Sequence, residues 1–154
     1  MKQIVLFSGT LTVTVAGTAY EFTSDPEELI ATLSITSHDR TSANETINIY
    51  ITSSDGVSTW DIVAFPQIAT TGAKIYTARV NTRLLGQNVT TATPGTAAVD
   101  PACLKTDTAS ADEGIKTLTA GMVRHGPIGN RIAYVAACAG TTPITVCSIR
   151  ISMR

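Results

Sequence analysis

Apolar and polar residues alternate along much of this chain, which is the pattern of β-strands with one buried face. The alternation is clearest between Ile47 and Phe65, where two such runs are separated by Asp55-Gly56. An Asp-Gly pair between alternating runs is typical of a two-residue hairpin turn. The pattern therefore predicts an antiparallel β-hairpin over these residues.

The turn also predicts the register of this hairpin. Counting outward from a two-residue loop places Ser54 opposite Val57, Ile51 opposite Trp60, Ile49 opposite Ile62 and Ile47 opposite Ala64. One face is then apolar, with Trp60 pointing inward. The other face carries mostly polar side chains: Asn48, Tyr50, Thr52, Thr59, Asp61 and Val63. We expect an antiparallel pair with one buried side.

Further strands follow from the same alternation and from the 26 threonines, because β-branched side chains favour the pleated backbone. The predicted strands are Gln3–Phe7, Leu11–Val15, Leu29–Thr36, Ala73–Val80, Ile115–Thr119, Arg131–Cys138 and Ile144–Ser152. Pro26-Glu27-Glu28 predicts at most one helical turn. Short strands separated by Gly, Pro, Asn and Ser indicate an all-β fold, an antiparallel β-sandwich or a jelly roll.

The segment 86–114 differs in composition from the rest of the chain. It consists mainly of Thr, Ala, Pro, Asp and Ser, with few large apolar residues. Long loops without regular structure are uncommon inside compact domains and are usually functional or disordered. We expect either a flexible excursion or an extended arm that lies on a neighbouring subunit.

Length and charge restrict the partners of the chain. At 154 residues the sequence suits one β domain, residues 1–154. With 11 basic and 12 acidic residues and a formal net charge of −1, it has no charge pattern for direct binding to nucleic acid or to a membrane. Because 44% of the residues are hydrophobic and 15% are charged, we expect a homo-oligomer that covers part of its surface with copies of itself.

Two features bear on the compartment. The apolar stretch Ile4–Phe7 after Lys2 resembles a secretory signal, but the alternation in Leu11–Val15 favours strands. Three cysteines, Cys103, Cys138 and Cys147, do not make a disulfide framework. Cys138 and Cys147 flank a turn and could pair across a hairpin, although buried free thiols and a reducing compartment fit the sequence better.

No residue cluster predicts a catalytic, cofactor or metal site. His38 and His125 are expected in polar loops, without the spacing of zinc ligands. Glu27-Glu28 and Asp112-Glu113 are adjacent carboxylates, which rarely flank a glycosidic bond from two sides. The run Gly121–Gly129, near Arg124 and Arg131, lacks the order of a phosphate-binding loop and is expected to be a turn-rich connection. We therefore expect no enzyme and no cofactor.

Two weaker sequence signals concern carbohydrate, as an attached glycan or as a bound ligand. Asn44-Glu45-Thr46 and Asn88-Val89-Thr90 match the glycosylation sequon, which arises easily in a chain so rich in threonine. A carbohydrate platform of exposed rings would need Tyr20, Tyr76 or Tyr134 to join Tyr50, because Trp60 is predicted to point inward.

As a β domain rich in Thr, Ala and Gly, with few charges and a long arm, the chain resembles small virion proteins of tailed bacteriophages, in particular the capsid decoration or cement class. The resemblance covers overall style and transfers no site residue. It implies a non-enzymatic structural protein that is assembled in the host cytoplasm, oligomerises, contacts other capsid proteins and stabilises the shell of the virion. The alternative is a carbohydrate- or receptor-binding β-sandwich module of a tail or appendage.

Overall fold

The computed structural model describes residues 2–83, 88–93, 103–110, 118, 120–141 and 143–154, with the backbone alone described at 88–93 and 103–110. Twelve strands lie in this part of the chain: β1 (Lys2–Leu11), β2 (Val15–Ala16), β3 (Tyr20–Glu21), β4 (Glu28–Asp39), β5 (Thr46–Ser54), β6 (Thr59–Ala64), β7 (Lys74–Asn81), β8 (Asn88–Thr93), β9 (Cys103–Ser110), β10 (Met122–His125), β11 (Arg131–Ala139) and β12 (Ile144–Met153). No helix that could span a membrane is found among these residues.

The strands form two antiparallel sheets packed face to face. Sheet A has the order β1-β12-β4-β7. Sheet B has the order β2-β11-β5-β6-β10-β8-β9, and β3 also pairs with β11. The chain crosses between the sheets repeatedly, so that each sheet combines early and late strands. The prediction of an all-β antiparallel sandwich is confirmed.

One hydrophobic core fills the space between the sheets. Sheet A contributes alternate residues of β4 and β12, and sheet B contributes alternate residues of β5 and β11, because successive side chains of a strand point to opposite faces. The largest fully buried members include Leu29, Leu33, Ile35, Ile47, Ile49, Ile51, Ile132, Ile149 and Ile151. The period-two pattern in the sequence marks these positions.

The β5–β6 hairpin exists, but its predicted register is wrong. Its loop contains four residues, Asp55–Ser58, and Ser53 lies opposite Trp60. The Asp55 carboxylate stabilises the longer loop by accepting hydrogen bonds from the N–H groups of Val57 (2.8 Å) and Ser58 (2.7 Å). Those bonds lower the pKa of Asp55. Since the shift is two residues, Trp60 keeps its inward face and packs against the core.

A bulge changes the hairpin further along. The register shifts between Ile51 and Thr52, so that Val63 lies opposite Ile51, and both are buried in the core. One extra residue on β6 therefore alters every later pair. The sequence prediction had placed Val63 on the polar face, because strict alternation cannot anticipate a bulge.

Other boundaries also differ from the prediction. The segment 86–114 contains two paired strands, β8 and β9, which lengthen sheet B through β10. Their threonines favour strand structure without supplying large apolar residues. Pro26 and Glu27 form no helical turn. The predicted strand Leu11–Val15 is interrupted at residues 12–14, and that at Ile115–Thr119 lies largely outside the described residues.

The cysteines do not form the suggested hairpin pair. Cys138 lies on β11 of sheet B and Cys147 on β12 of sheet A, because the chain changes sheets between them. Both thiols are free. Burial raises the pKa of Cys138, and raises that of the more deeply buried Cys147 to about 11, so both stay protonated at neutral pH. They act as core side chains.

Candidate interaction surface

His38 is not in a loop, as the sequence suggested, but near the end of β4, where it is fully buried. Strand β4 extends to Asp39 because it pairs with β12, with His38 opposite Thr145. Its Nδ1 lies 2.7 Å from the Thr145 hydroxyl, and its Nε2 has no hydrogen-bond partner in the described structure. The neighbouring Asp39 is exposed. The two residues therefore form no acid–base pair at a common surface.

His125 is also in a strand, as the last residue of β10. Its Nδ1 accepts a hydrogen bond from the N–H of Asn81 at 3.0 Å. Burial lowers the pKa of this imidazole, which favours the neutral ring that such an acceptor requires. His125 thereby ties β10 to the end of β7.

Two of the carboxylates singled out in the sequence take part in surface ion pairs. Glu28 pairs with Arg79 at 3.0 Å, and Glu27 pairs with Arg83 at 2.5 Å. The two glutamates thus point to different cations. Asp112 and Glu113 lie outside the described residues. No group of three His, Cys, Asp or Glu side chains suited to a metal ion is found where the structure is described.

The glycines of Gly121–Gly129 have structural roles. The N–H groups of Gly121 and Gly126 donate to the carbonyls of Ala64 and Asn81, and that of Gly129 donates to the Ser53 hydroxyl. A Cβ at position 129 would lie 2.0 Å from the Ser54 carbonyl oxygen, so only glycine fits there. These N–H groups are therefore bonded within the fold. The predicted turn-rich connection is interrupted by strand β10.

The eight aromatic side chains do not build an exposed platform. Phe22, Phe65 and Tyr134 lie in the core, and Phe7, Tyr20, Trp60 and Tyr76 pack against it. Tyr134 and Phe7 contact each other across the sandwich, with ring centroids 5.3 Å apart. Only Tyr50 is outside this set, and Tyr20, Tyr76 and Tyr134 do not join it. Of the sequon asparagines, Asn44 is exposed in the β4–β5 loop and Asn88 begins β8.

A charge pair on sheet B, formed by a buried arginine and a half-buried aspartate, was missed by sequence reasoning. Asp61 on β6 and Arg124 on β10 attract each other on the outer side of the sheet, where Arg124 is 4% exposed. The Asp61 carboxylate also accepts the N–H of Leu118 at 3.0 Å. Burial raises the pKa of Asp61 and lowers that of Arg124, since it disfavours both charges. The only sequence signal was Asp61 among polar positions, which does not reveal burial.

Two adjoining cavities open at one end of the sandwich. The larger, about 320 Å³, is lined by Asp25, Pro26, Thr82, Arg83, Pro127 and Ile128. The smaller, about 160 Å³, shares Asp25 and Pro26 with it and also touches Lys2 and Arg154. Neither cavity is lined by a histidine. Because charged, hydroxyl and proline side chains line the two cavities, this end of the sandwich is a candidate small-ligand site.

The central part of the outer side of sheet A, called the open face below, is the larger candidate surface. It presents three rows of side chains, each row taking one residue from every strand of the sheet: Gln3, Ser152, Ile30 and Arg79; Val5, Arg150, Thr32 and Thr77; and Ser8, Ser148, Ser34 and Ile75. None of the twelve is buried. Val5 and Ile75 are each 56% exposed. Half of the positions are Ser or Thr, so the surface is flat and allows close approach.

Comparisons with protein-family models, with curated proteins and with solved structures find no match to this chain.

Proposed function

We propose that this chain is a non-enzymatic virion structural protein, a capsid decoration or cement protein that assembles with copies of itself and stabilises the shell. The observation that carries the proposal is the strand order of the sandwich. Two further observations support it: most aromatic rings lie in or against the core, and the open face is flat and rich in Ser and Thr.

The strand order supports a jelly roll. When β2 and β3 are counted as one interrupted strand and β8–β10 as an insertion, the eight remaining strands lie in the order 1-8-3-6 in sheet A and 2-7-4-5 in sheet B. Such double-sheet folds with two Greek keys occur in viral capsid domains and in lectins. Because one fold hosts many functions, the choice between these two classes must come from the surface.

The aromatic residues favour the structural role over sugar binding. Sugar-binding sandwiches commonly stack ligands on exposed rings, whereas seven of the eight rings here belong to or contact the core. A structural contact needs no ring and no deep pocket, since a repeating lattice multiplies modest contacts. The open face provides a surface of that kind.

The first test is the absolute mass of the purified protein by light scattering, over a range of concentrations. We expect a stable trimer or larger assembly. A variant that lacks residues 94–102, a part of the predicted arm 86–114, should assemble less well if the arm contacts neighbouring copies. A monomer at all concentrations, or assembly unaffected by the deletion, would contradict the corresponding part of the proposal.

The virion assignment has a separate test. Particles purified from the source of the sequence should contain the chain in a fixed ratio to the shell protein, as measured by quantitative mass spectrometry. Its absence from particles would refute the assignment whatever the oligomeric state.

The alternative, a carbohydrate- or receptor-binding module, rests on the end cavity rather than on a ring platform. A glycan array probed with the chain and with Arg83→Ala distinguishes the two functions. Binding of one glycan class that Arg83→Ala abolishes would favour the alternative, and an array without signal supports the structural role.

A further inference from the structure

The open face carries two cations, Arg79 and Arg150, and only Arg150 lacks an ion-pair partner among the described residues. Arg150 lies in the middle row on the inner strand β12, with Val5 and Thr32 as its cross-strand neighbours. Among the described residues no carboxylate lies within ion-pair distance of it. Arg79, the second cation, pairs with Glu28 at the border of the face. None of the twelve side chains of the face is acidic.

The position of Arg150 disfavours self-pairing through this face. In a two-fold dimer the same patch meets itself, so a cation near its centre meets its own copy. Two guanidinium groups at contact distance repel each other, and the small hydroxyls around Arg150 offer no compensating charge. A second copy on this face would have to avoid its centre.

The area of the open face favours a multivalent contact, in which many copies bind to one partner assembly. Four strands about 4.8 Å apart and three rows about 7 Å apart span roughly 400 Å². A stable independent complex usually buries about 800 Å² on each partner. The open face alone is therefore too small for a durable two-body complex, and it suits a partner that presents many copies of its own site.

We propose that the open face of sheet A docks on an acidic protein surface of a different polypeptide, with Arg150 as its central charged contact and Val5 and Ile75 as apolar contacts at its sides. This inference rests on the proposed function, in which the partner is a repeating shell subunit. A partner with carboxylates among small side chains would complement the charge and the flatness of the face. Two cations are too few for strong binding to a phosphate backbone.

The test uses a ten-residue glutamate peptide as the acidic probe and a ten-residue glutamine peptide as the neutral control. The isotope-labelled protein is titrated with each peptide, and amide chemical shifts are followed. We expect the acidic peptide alone to shift signals of β12, β4 and β1 around Arg150. Arg150→Gln should weaken the apparent affinity roughly three- to fivefold, the value of one exposed ion pair. Arg131→Gln, at an exposed arginine of β11 in sheet B, serves as the matched control and should change it less than about twofold.

Several outcomes would overturn the inference. They are equal shifts with both peptides, equal losses in the two arginine variants, or a DNA duplex that binds through Arg150 more tightly than the acidic peptide. Sedimentation that shows a dimer abolished by Ser148→Trp would assign the face to a second copy instead. Because none of these measurements depends on virions, failure of the virion assignment would leave the mapped contact intact.

Discussion

The outer faces of the two sheets each carry an arginine, which is buried on sheet B and exposed on sheet A. On sheet B, Arg124 is 4% exposed beside Asp61, and the buried Leu118 bonds to the same carboxylate. On sheet A, Arg150 is exposed among serine and threonine side chains. Arg150 lies at a position that the alternating pattern assigns to the polar face, whereas Arg124 lies in Gly121–Gly129, which the sequence predicted to be a turn-rich connection.

The difference in exposure indicates that Arg124 serves the fold, whereas Arg150 is available to a partner. A buried cation is tolerated only with an opposite charge and hydrogen bonds, so Arg124 is committed to the fold. An exposed cation costs the fold little and contributes little to it. The comparison therefore predicts that substitutions on sheet B lower stability, whereas those on the open face alter association.

The largest expected effect comes from Arg124→Met. Removing the buried guanidinium leaves the half-buried Asp61 without its counter-charge, which should lower the free energy of unfolding by about 3 kcal/mol, the low end for a broken buried pair. The same change on the open face, Arg150→Met, should cost less than about 0.5 kcal/mol. Urea denaturation of both variants measures the two values, and equal losses would contradict the comparison.

A double variant sharpens this result. Asp61→Leu combined with Arg124→Met removes both charges, so it should be more stable than Arg124→Met alone. A double variant no more stable than the single one would show that packing, rather than charge pairing, holds this part of sheet B.

The next effect concerns Leu118, whose N–H bonds to the Asp61 carboxylate. Leu118→Ala should lower the free energy of unfolding by about 2–3 kcal/mol, because it opens a cavity at a buried site. Ile75→Ala, at a 56% exposed position of the open face, should cost less than about 0.5 kcal/mol. Thermal and urea unfolding can check both. A small loss for Leu118→Ala would mean that Leu118 does not pack on sheet B.

The smallest effect is a pH dependence. Burial raises the pKa of Asp61 above 3.8, so the folded state favours its protonated form. The stability that this protonation contributes is full below the unfolded pKa and is lost as pH rises through the folded value. Relative to Asp61→Asn, the wild type should therefore lose stability as pH rises above 3.8. Urea denaturation at several pH values tests this, and a relative gain would mean that Arg124 outweighs burial.

The sequence predicted most strands but few of their pairings. Alternation located β4, β5, β7, β11 and β12 to within a few residues. It missed the four-residue loop at Asp55 and the bulge on β6, because a side-chain hydrogen bond and one extra residue leave no periodic trace. It also placed His38 in a loop, although pairing with β12 extends β4 past that residue.

The candidate surface was less predictable than the strands. Nothing in the alternating pattern singles out Arg150, because Ser148, Arg150 and Ser152 look like any polar side of a strand. The surface arises only when β1, β12, β4 and β7 lie side by side, and these strands come from both ends and the middle of the chain.

The sequence by itself determined the all-β class, the single apolar core and the inward position of Trp60, because alternation within one strand decides which side chains can be buried together. The tertiary structure alone decided the strand order, the separation of Cys138 from Cys147 and the fates of Arg124 and Arg150. Those features depend on which strands become neighbours and on what covers each sheet. Such long-range packing is not encoded in the period of any single segment.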